Sequence, residues 1–247
     1  MRSLLSLVPL ALLARSAYGI SWSLILGNDN TWVQQKYTVT VPPPPPAGVT
    51  DGPWYFWCGL QPSGGGVIQP VLGWKTSENN IINPGASFPH VWAMNLWSLP
   101  WNYGQDGAPT TQESAGIWAD QGAQIASTVT WENGQWYQQA NVLNGQAAGQ
   151  TVEMYTPASY FLGDNASGDN TPMTVCESEL DGGQTSQWDF SVTFTDIYFE
   201  AASSDGVESL CASAIDHSDG NGYISFTGFS MIDNKTCYWS SITLSPQ

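Results

Sequence analysis

The feature that most constrains this chain is a two-residue alternation that runs through nearly all of it. In Trp188–Thr195, the side chains of Trp188, Phe190, Val192 and Phe194 fall on one side and those of Asp189, Ser191, Thr193 and Thr195 on the other. Successive side chains of a strand point to opposite faces, so this pattern is that of a half-buried β-strand. Tyr37, Val39 and Val41 alternate with Thr38 and Thr40, and Trp92, Met94 and Leu96 share a face in the same way. Asn133-Gly134 stands between two alternating runs, a strong short-range hairpin signal. The segments YISFTGFSMI and CYWSSITL read as further strands, and no segment carries a helical period. Sheets with one apolar face must bury it against another layer. The fold class expected is therefore all-β, an antiparallel two-sheet β-sandwich of jelly-roll type. Pro42–Pro46 can only be a stiff extended connector, and Asp164–Pro172 reads as a polar loop. Strand-like sequence continues on both sides of each, so residues 20–247 are expected to form a single domain.

The first 19 residues read differently. Arg2 precedes an apolar run from Leu4 to Leu13, and Ala17-Tyr18-Gly19 supplies small residues at a cleavage point. This is the pattern of a secretory signal peptide. The run is too short to span a bilayer, and no later one is long enough. The expected product is a secreted, extracellular protein of 228 residues, the 247 of the chain less 19, with no membrane association. Both arginines leave with the leader. Lys36, Lys75 and Lys235 then face 21 acidic residues, three minus 21, for a formal charge of −18. Such a surface offers nothing to nucleic-acid phosphates, and self-repulsion falls where carboxyls protonate, at low pH. Four cysteines in an exported chain suggest two disulfides with three possible connectivities. Cys211–Cys237 is the more local pair, and Cys58–Cys176 follows by elimination. Asn165 and Asn234 begin N-glycosylation sequons. His90 and His217 stand alone, and no spacing suggests a metal site or another cofactor.

Thirteen tryptophans are too many to pass over. Some, such as Trp188, belong to core-facing alternations. Trp97, Trp101 and Tyr103 sit in a loop-like Gly/Pro context, as does Trp118. There a flat aromatic face can stack on a sugar or hold an extended peptide. The bland reading is a core filled with aromatics for want of aliphatics.

Polar residues also interrupt apolar strands. Trp57, Gly59 and Gln61 share a face, with Cys58 and Leu60 opposite. After a glycine turn, Val67 and Gln69 share a face, and Pro70 suggests a strand end or edge. Val175, Glu177 and Glu179 alternate with Cys176, Ser178 and Leu180. Two carboxylates and one or two amides can thus line one sheet face, with both cysteines turned away. Each buried polar group needs a partner, since leaving one unsatisfied costs about 1–3 kcal/mol. Such a cluster is either a satisfied network or a site.

WCGLQ, VIQPVLGW and CESEL together resemble the eqolisins, the secreted fungal glutamic peptidases, and their relatives of concanavalin A-like lectin/glucanase fold. KYTVTVPPPP is similar to the family's first strand. The resemblance runs loosely from Trp32 to the C-terminus, and its specific part lies in the three short motifs. It implies a catalytic pair of Gln69 and Glu179 beside Trp57, acting without metal or cofactor and insensitive to pepstatin. Glu179 would be general base and then acid, with Gln69 donating to the oxyanion. Glu177 would raise the pKa of Glu179 by like-charge repulsion. Gln61 and Gly73 or a neighbour stand where those peptidases carry aspartates, and Pro70 where they carry a small hydroxyl residue. The expected partner is a polypeptide substrate met by a monomer. The alternatives are a carbohydrate-binding or carbohydrate-active sandwich with a polysaccharide substrate, and an inert secreted relative. Glu177 and Glu179, about 7 Å apart by strand rise, fall between the two glycosidase spacings and do not separate these readings.

Overall fold

The computed structural model describes residues 20–50, 52–75, 92–161, 170–180, 182–214, 217–218 and 221–247. Among the described residues, sixteen strands form two antiparallel sheets, as the alternation leads one to expect. The first sheet contains β1 (Ser21–Ile25), β3 (Trp54–Gln61), β4 (Val67–Trp74), β5 (Trp92–Leu99), β6 (Gln112–Glu113), β7 (Ile117–Ala119) and β11 (Met173–Glu179). Its order is β1-β11-β3-β4-β5-β6, with β7 also on β5. The second contains β2 (Trp32–Thr40), β8 (Gln124–Glu132), β9 (Gln135–Val142), β10 (Thr151–Pro157), β12 (Val192–Ala201), β13 (His217–Ser218), β14 (Gly222–Thr227), β15 (Ser230–Met231) and β16 (Thr236–Pro246). Its order is β10-β9-β8-β2-β12-β16-β14-β13, with β15 on β16.

The inward faces are those the sequence marks. Tyr37 and Val39 from β2, Phe56 and Leu60 from β3, Trp92, Met94 and Leu96 from β5, and Phe194 from β12 meet in one apolar core between the sheets. Aromatic rings fill much of it. Phe190 packs against Trp54, Phe56 and Trp92 with centroids 5.9–6.1 Å apart. Most of the tryptophans are accounted for in this way, because large rings bridge the gap between sheets with few side chains. The hairpin at Asn133-Gly134 forms as expected. Both residues have positive φ (51° and 80°), and Glu132 pairs with Gln135 across a two-residue turn. Burial switches from Val192 and Phe194 to Ile197 and Phe199 within β12, where Asp196 adopts a φ of 50°. The ladder to β2 shifts register at the same place, a bulge that re-aims the strand.

Two expectations are corrected. Pro70 is neither at a strand end nor on an edge: it lies mid-way along β4, between β3 and β5. The missing donor is accommodated locally. The β3–β4 ladder runs through Trp57↔Val71 and Leu60↔Ile68 but skips the two positions between. The Pro70 carbonyl instead accepts the buried Tyr37 hydroxyl from the other sheet, at 3.0 Å. The chain also holds a short helix, α1 (Val207–Ala212), which six residues are too few to announce by period. Cys211 ties it to β16 through the Cys211–Cys237 disulfide, and the Cys58–Cys176 disulfide joins β3 to β11. No helix among the described residues is long and apolar enough to cross a membrane. Asn165 and His90 lie outside the described residues, as does the leader.

Candidate functional site

The site is built on the outer face of the first sheet, the face turned away from the intersheet core. Cys58 opposes Cys176 across β3 and β11, and their disulfide points into the core. By alternation Trp57, Gly59, Val175 and Glu177 must therefore point out. The register then orders the face in rows. Glu179 lies against Tyr55, which lies against Gly73 and Ala93. Glu177 lies against Trp57, Val71 and Asn95. Val175 lies against Gly59, and Gln69 against Trp97 and Glu113. Met173 lies against Gln61, and Val67 against Leu99.

Outward-facing residues are usually wet, and these are not. Trp57 is 2% exposed, Val71 and Val175 likewise, and Gln69 is 3% exposed. They form a second apolar cluster, separate from the core, with Tyr55, Trp97, Leu99 and Met173 at its margin. The Tyr55 and Trp97 rings meet edge to face, 6.0 Å apart, although β4 separates their strands. Gly73 contributes no side chain to the row that Tyr55 leans across. Gly59 makes a second approach possible: a Cβ there would sit 2.5 Å from the Ile68 carbonyl and 3.0 Å from Gln69 Cβ. Gly59→Ala is accordingly expected to push β4 away at Gln69. It should cost about 1–3 kcal/mol in denaturant unfolding and lower any activity that depends on Gln69.

Within this dry patch the polar groups are poorly satisfied. Gln69 Oε1 and Trp57 Nε1 are buried without a hydrogen-bond partner. Burial pushes the Glu177 carboxyl up to about 8, and the neighbouring Glu179 charge adds to the effect. Glu177 therefore carries its proton through the acid and neutral range. This sets a sign for stability. Between the ordinary carboxyl value and about 8 the folded chain binds more protons than the unfolded chain, so stability falls as pH rises through that window. One pKa unit is worth about 1.4 kcal/mol, which caps the loss at about 5 kcal/mol; solvent reaching the half-buried group makes it smaller. The melting temperature is expected to drop between pH 4.5 and 8.5, and Glu177→Gln should flatten that slope in a calorimetric series.

The sequence-derived residues fall along one strip. Gln69, Trp57, Glu177 and Glu179 share the face. Gln61 is half-buried on it, one row beyond Gly59 and away from the acids. Trp97 is half-buried on β5 rather than in a loop, beside Gln69. Trp101 follows at the Gln61 end, where its carbonyl would lie 3.1 Å from a Cβ on Gly65, and Tyr103 beyond it is 62% exposed. Trp118 is half-buried on edge strand β7 and packs against the core. Strand geometry places the Glu177 backbone about 7 Å along and 10 Å across from that of Gln69, and Glu179 about 13 Å along. Glu177 is thus the nearer acid. The alternation marks both glutamates equally, and only the pairing with Trp57 separates them. Tyr55, which closes the patch with Trp97, was not singled out by the sequence, because its alternation with Phe56 looks like any strand's. No group of three or more metal-ligating side chains occurs among the described residues.

This sheet order and rim of half-buried aromatics can be set beside known structures. Scytalido-glutamic peptidase, solved with a peptide-based transition-state analogue, superimposes with a TM-score of 0.50 at 14% identity, over 94% of this chain and 99% of that one. The fold is eqolisin-like. The same peptidase with another transition-state analogue inhibitor gives the same score and coverage. SCP-B, a member of the eqolisin family solved with the tripeptide Ala-Ile-His, follows at a TM-score of 0.48 and 14% identity, again over 94% of this chain. No family model matches the sequence, and no curated protein matches it. The eqolisin-like fold accounts for the two packed antiparallel sheets.

Proposed function

We propose that this protein is a hydrolase of glutamic-peptidase type, exported from the cell, which cleaves polypeptides in an apolar cleft over β3, β4 and β11. The observation that carries this reading is the cost of the patch. Trp57 Nε1 and Gln69 Oε1 are buried without partners beside a carboxyl held protonated up to about 8. Each orphan costs about 1–3 kcal/mol. A structural network gains nothing by that expense, whereas a substrate that supplies the missing partners does.

The roles follow from charge and position. Of the two neighbouring carboxyls, Glu177 holds its proton over the acid and neutral range. A substrate carbonyl lying across Val71 has Gln69 on one side and Glu177 on the other. The Gln69 amide nitrogen donates to the carbonyl oxygen as it gains charge, and an amide keeps that donor at every pH. The ionised carboxylate of the pair takes a proton from the attacking water, and the neutral member delivers one to the departing amine. Trp57, Tyr55 and Trp97 exclude water, which strengthens each of these interactions.

The test is cleavage of a denatured protein across a pH series, with products mapped by mass spectrometry and solvent ¹⁸O followed into the new carboxyl termini. Cleavage that fails above about pH 8, as Glu177 loses its proton, supports the reading. Intact substrate at every pH, together with retention on a neutral polysaccharide column, would transfer the patch to carbohydrate recognition.

A further inference from the structure

We propose that Tyr37 and Gln138, reaching through the core from the second sheet, are positioning residues that fix Gln69 in the geometry its donor role requires. That role rests on the hydrolase reading; the hold on Gln69 rests on the core alone.

Gln69 stands where its own sheet grips it least. The β3–β4 ladder skips the two positions that would set Cys58 against Pro70 and Gly59 against Gln69. On that side the strand needs another anchor, and the chemistry of proline says where one is effective. The ring locks φ of Pro70, and the residue before a proline is confined to extended backbone. The soft torsion that remains is ψ of Pro70, which turns the Pro70 carbonyl. The Tyr37 hydroxyl donates to that carbonyl at 3.0 Å.

Tyr37 is a steady donor. It is 3% exposed, and its ring meets Phe194 edge to face with centroids 5.2 Å apart. Burial pushes the phenol well above its ordinary value, against the smaller opposing pull of Ser127 and of the Cys58 backbone. The hydroxyl therefore keeps its proton throughout the acid and neutral range. Cys58 is one of the residues that the ladder leaves without a β4 pair, so the hydroxyl sits in the gap itself.

Gln138 acts one strand further on. Trp97 is the β5 partner of Gln69. Gln138 Nε2 donates to the Trp97 carbonyl at 3.0 Å and to Ser98 Oγ at 3.1 Å. Ser98 Oγ lies 2.8 Å from Thr156 Oγ1, so the chain of bonds ties β5 to β9 and β10. Gln138 is fully buried, and its Oε1 has no partner. A leucine would fill this place without leaving a buried acceptor unpaired. What the amide adds is the hold on the Trp97 carbonyl. Gln69 is thus secured along its strand through Pro70 and across the sheet through Trp97, both times from the core side.

The test compares the full chain with Tyr37→Phe, Gln138→Met and Val207→Ala, the last a core truncation in α1 that breaks neither bond. Tyr37→Phe and Gln138→Met are each expected to lower kcat about tenfold with KM unchanged. Val207→Ala should lower stability and leave kcat alone. In a Gln69→Ala background, Tyr37→Phe should have no further effect on kcat, since no amide remains to be positioned. A tenfold loss that persists in that background overturns the proposal. A second readout needs no activity. In protein labelled with ¹⁵N at glutamine side chains, the Gln69 NH₂ pair is assigned by its loss in Gln69→Ala. It is expected to be sharp in the wild type and in Val207→Ala, and broadened by exchange in Tyr37→Phe. A Gln69 signal unchanged in Tyr37→Phe overturns the positioning role whatever the protein cleaves. A broadened signal in a protein that cleaves nothing upholds the hold on Gln69 and removes the hydrolase reading alone.

Discussion

Replacing Glu177 by glutamine is expected to lower peptide cleavage by about 10²–10⁴-fold, the usual worth of a positioned general acid–base group. The fold should remain intact. The substitution keeps the side chain's shape and replaces a carboxylic acid that is already neutral over the working range by a neutral amide that cannot titrate, since burial pushes that carboxyl up to about 8. A loss of this size with unchanged unfolding at acid pH would place Glu177 in the reaction. Gln69→Ala is the companion variant. Loss of one oxyanion donor typically costs about 10²–10³-fold in kcat with little change in KM. Glu179→Gln should behave differently from Glu177→Gln. It removes the charge that helps hold the Glu177 proton, so the alkaline limb of the pH profile should move to lower pH as well as the rate falling. A Glu177→Gln protein with full activity would end the proposed mechanism.

Removing the Cys58–Cys176 disulfide has the second large effect. The bond closes a loop of 118 residues, and chain-entropy arguments assign such a loop about 5 kcal/mol. That is comparable with the whole stability of many domains. Cys58→Ala/Cys176→Ala is expected to unfold at markedly lower denaturant than the wild type. The functional loss should exceed the stability loss, because the two cysteines anchor the register that sets Trp57 against Glu177. Activity measured well below the unfolding midpoint tests that separately. Removing Cys211–Cys237, which closes only 26 residues and lies in the other sheet, should leave the site's pH profile unchanged.

Much of this arrangement is legible in the sequence because strand alternation is a local rule. It puts Trp57 on the face opposite Cys58 and Glu177 on the face opposite Cys176, and it allows Gln69 to join them. It does not fix which residues lie opposite one another, since register depends on turns and on pairing with distant segments. Hence two glutamates two residues apart are indistinguishable until Trp57 is seen beside one of them. Pro70 misleads for a related reason. Its missing donor argues for an edge, but the sheet omits two ladder pairings and Tyr37 takes up the Pro70 carbonyl from across the core. Trp97 looks like a loop residue in the context of Pro100, yet it lies within β5, two residues before its end at Leu99. Helix α1 is fixed by Cys211 and Cys237 rather than by its own six residues.

The first and last described strands end at the same rim. Ile20 packs so closely on Gly222 that a Cβ there would lie 2.7 Å from its Cδ1, and Gly222 pairs with Pro246, the penultimate residue. The backbone at residue 20 is thus about one sheet spacing, near 10 Å, from the end of the chain. In a variant made to begin at residue 20, a linker of a few glycines can join the two and close the polypeptide into a ring. New ends cut at Asn133-Gly134, far in sequence from both sheets' disulfides, would then give a circularly permuted protein with every strand of the Gln69 patch uncut.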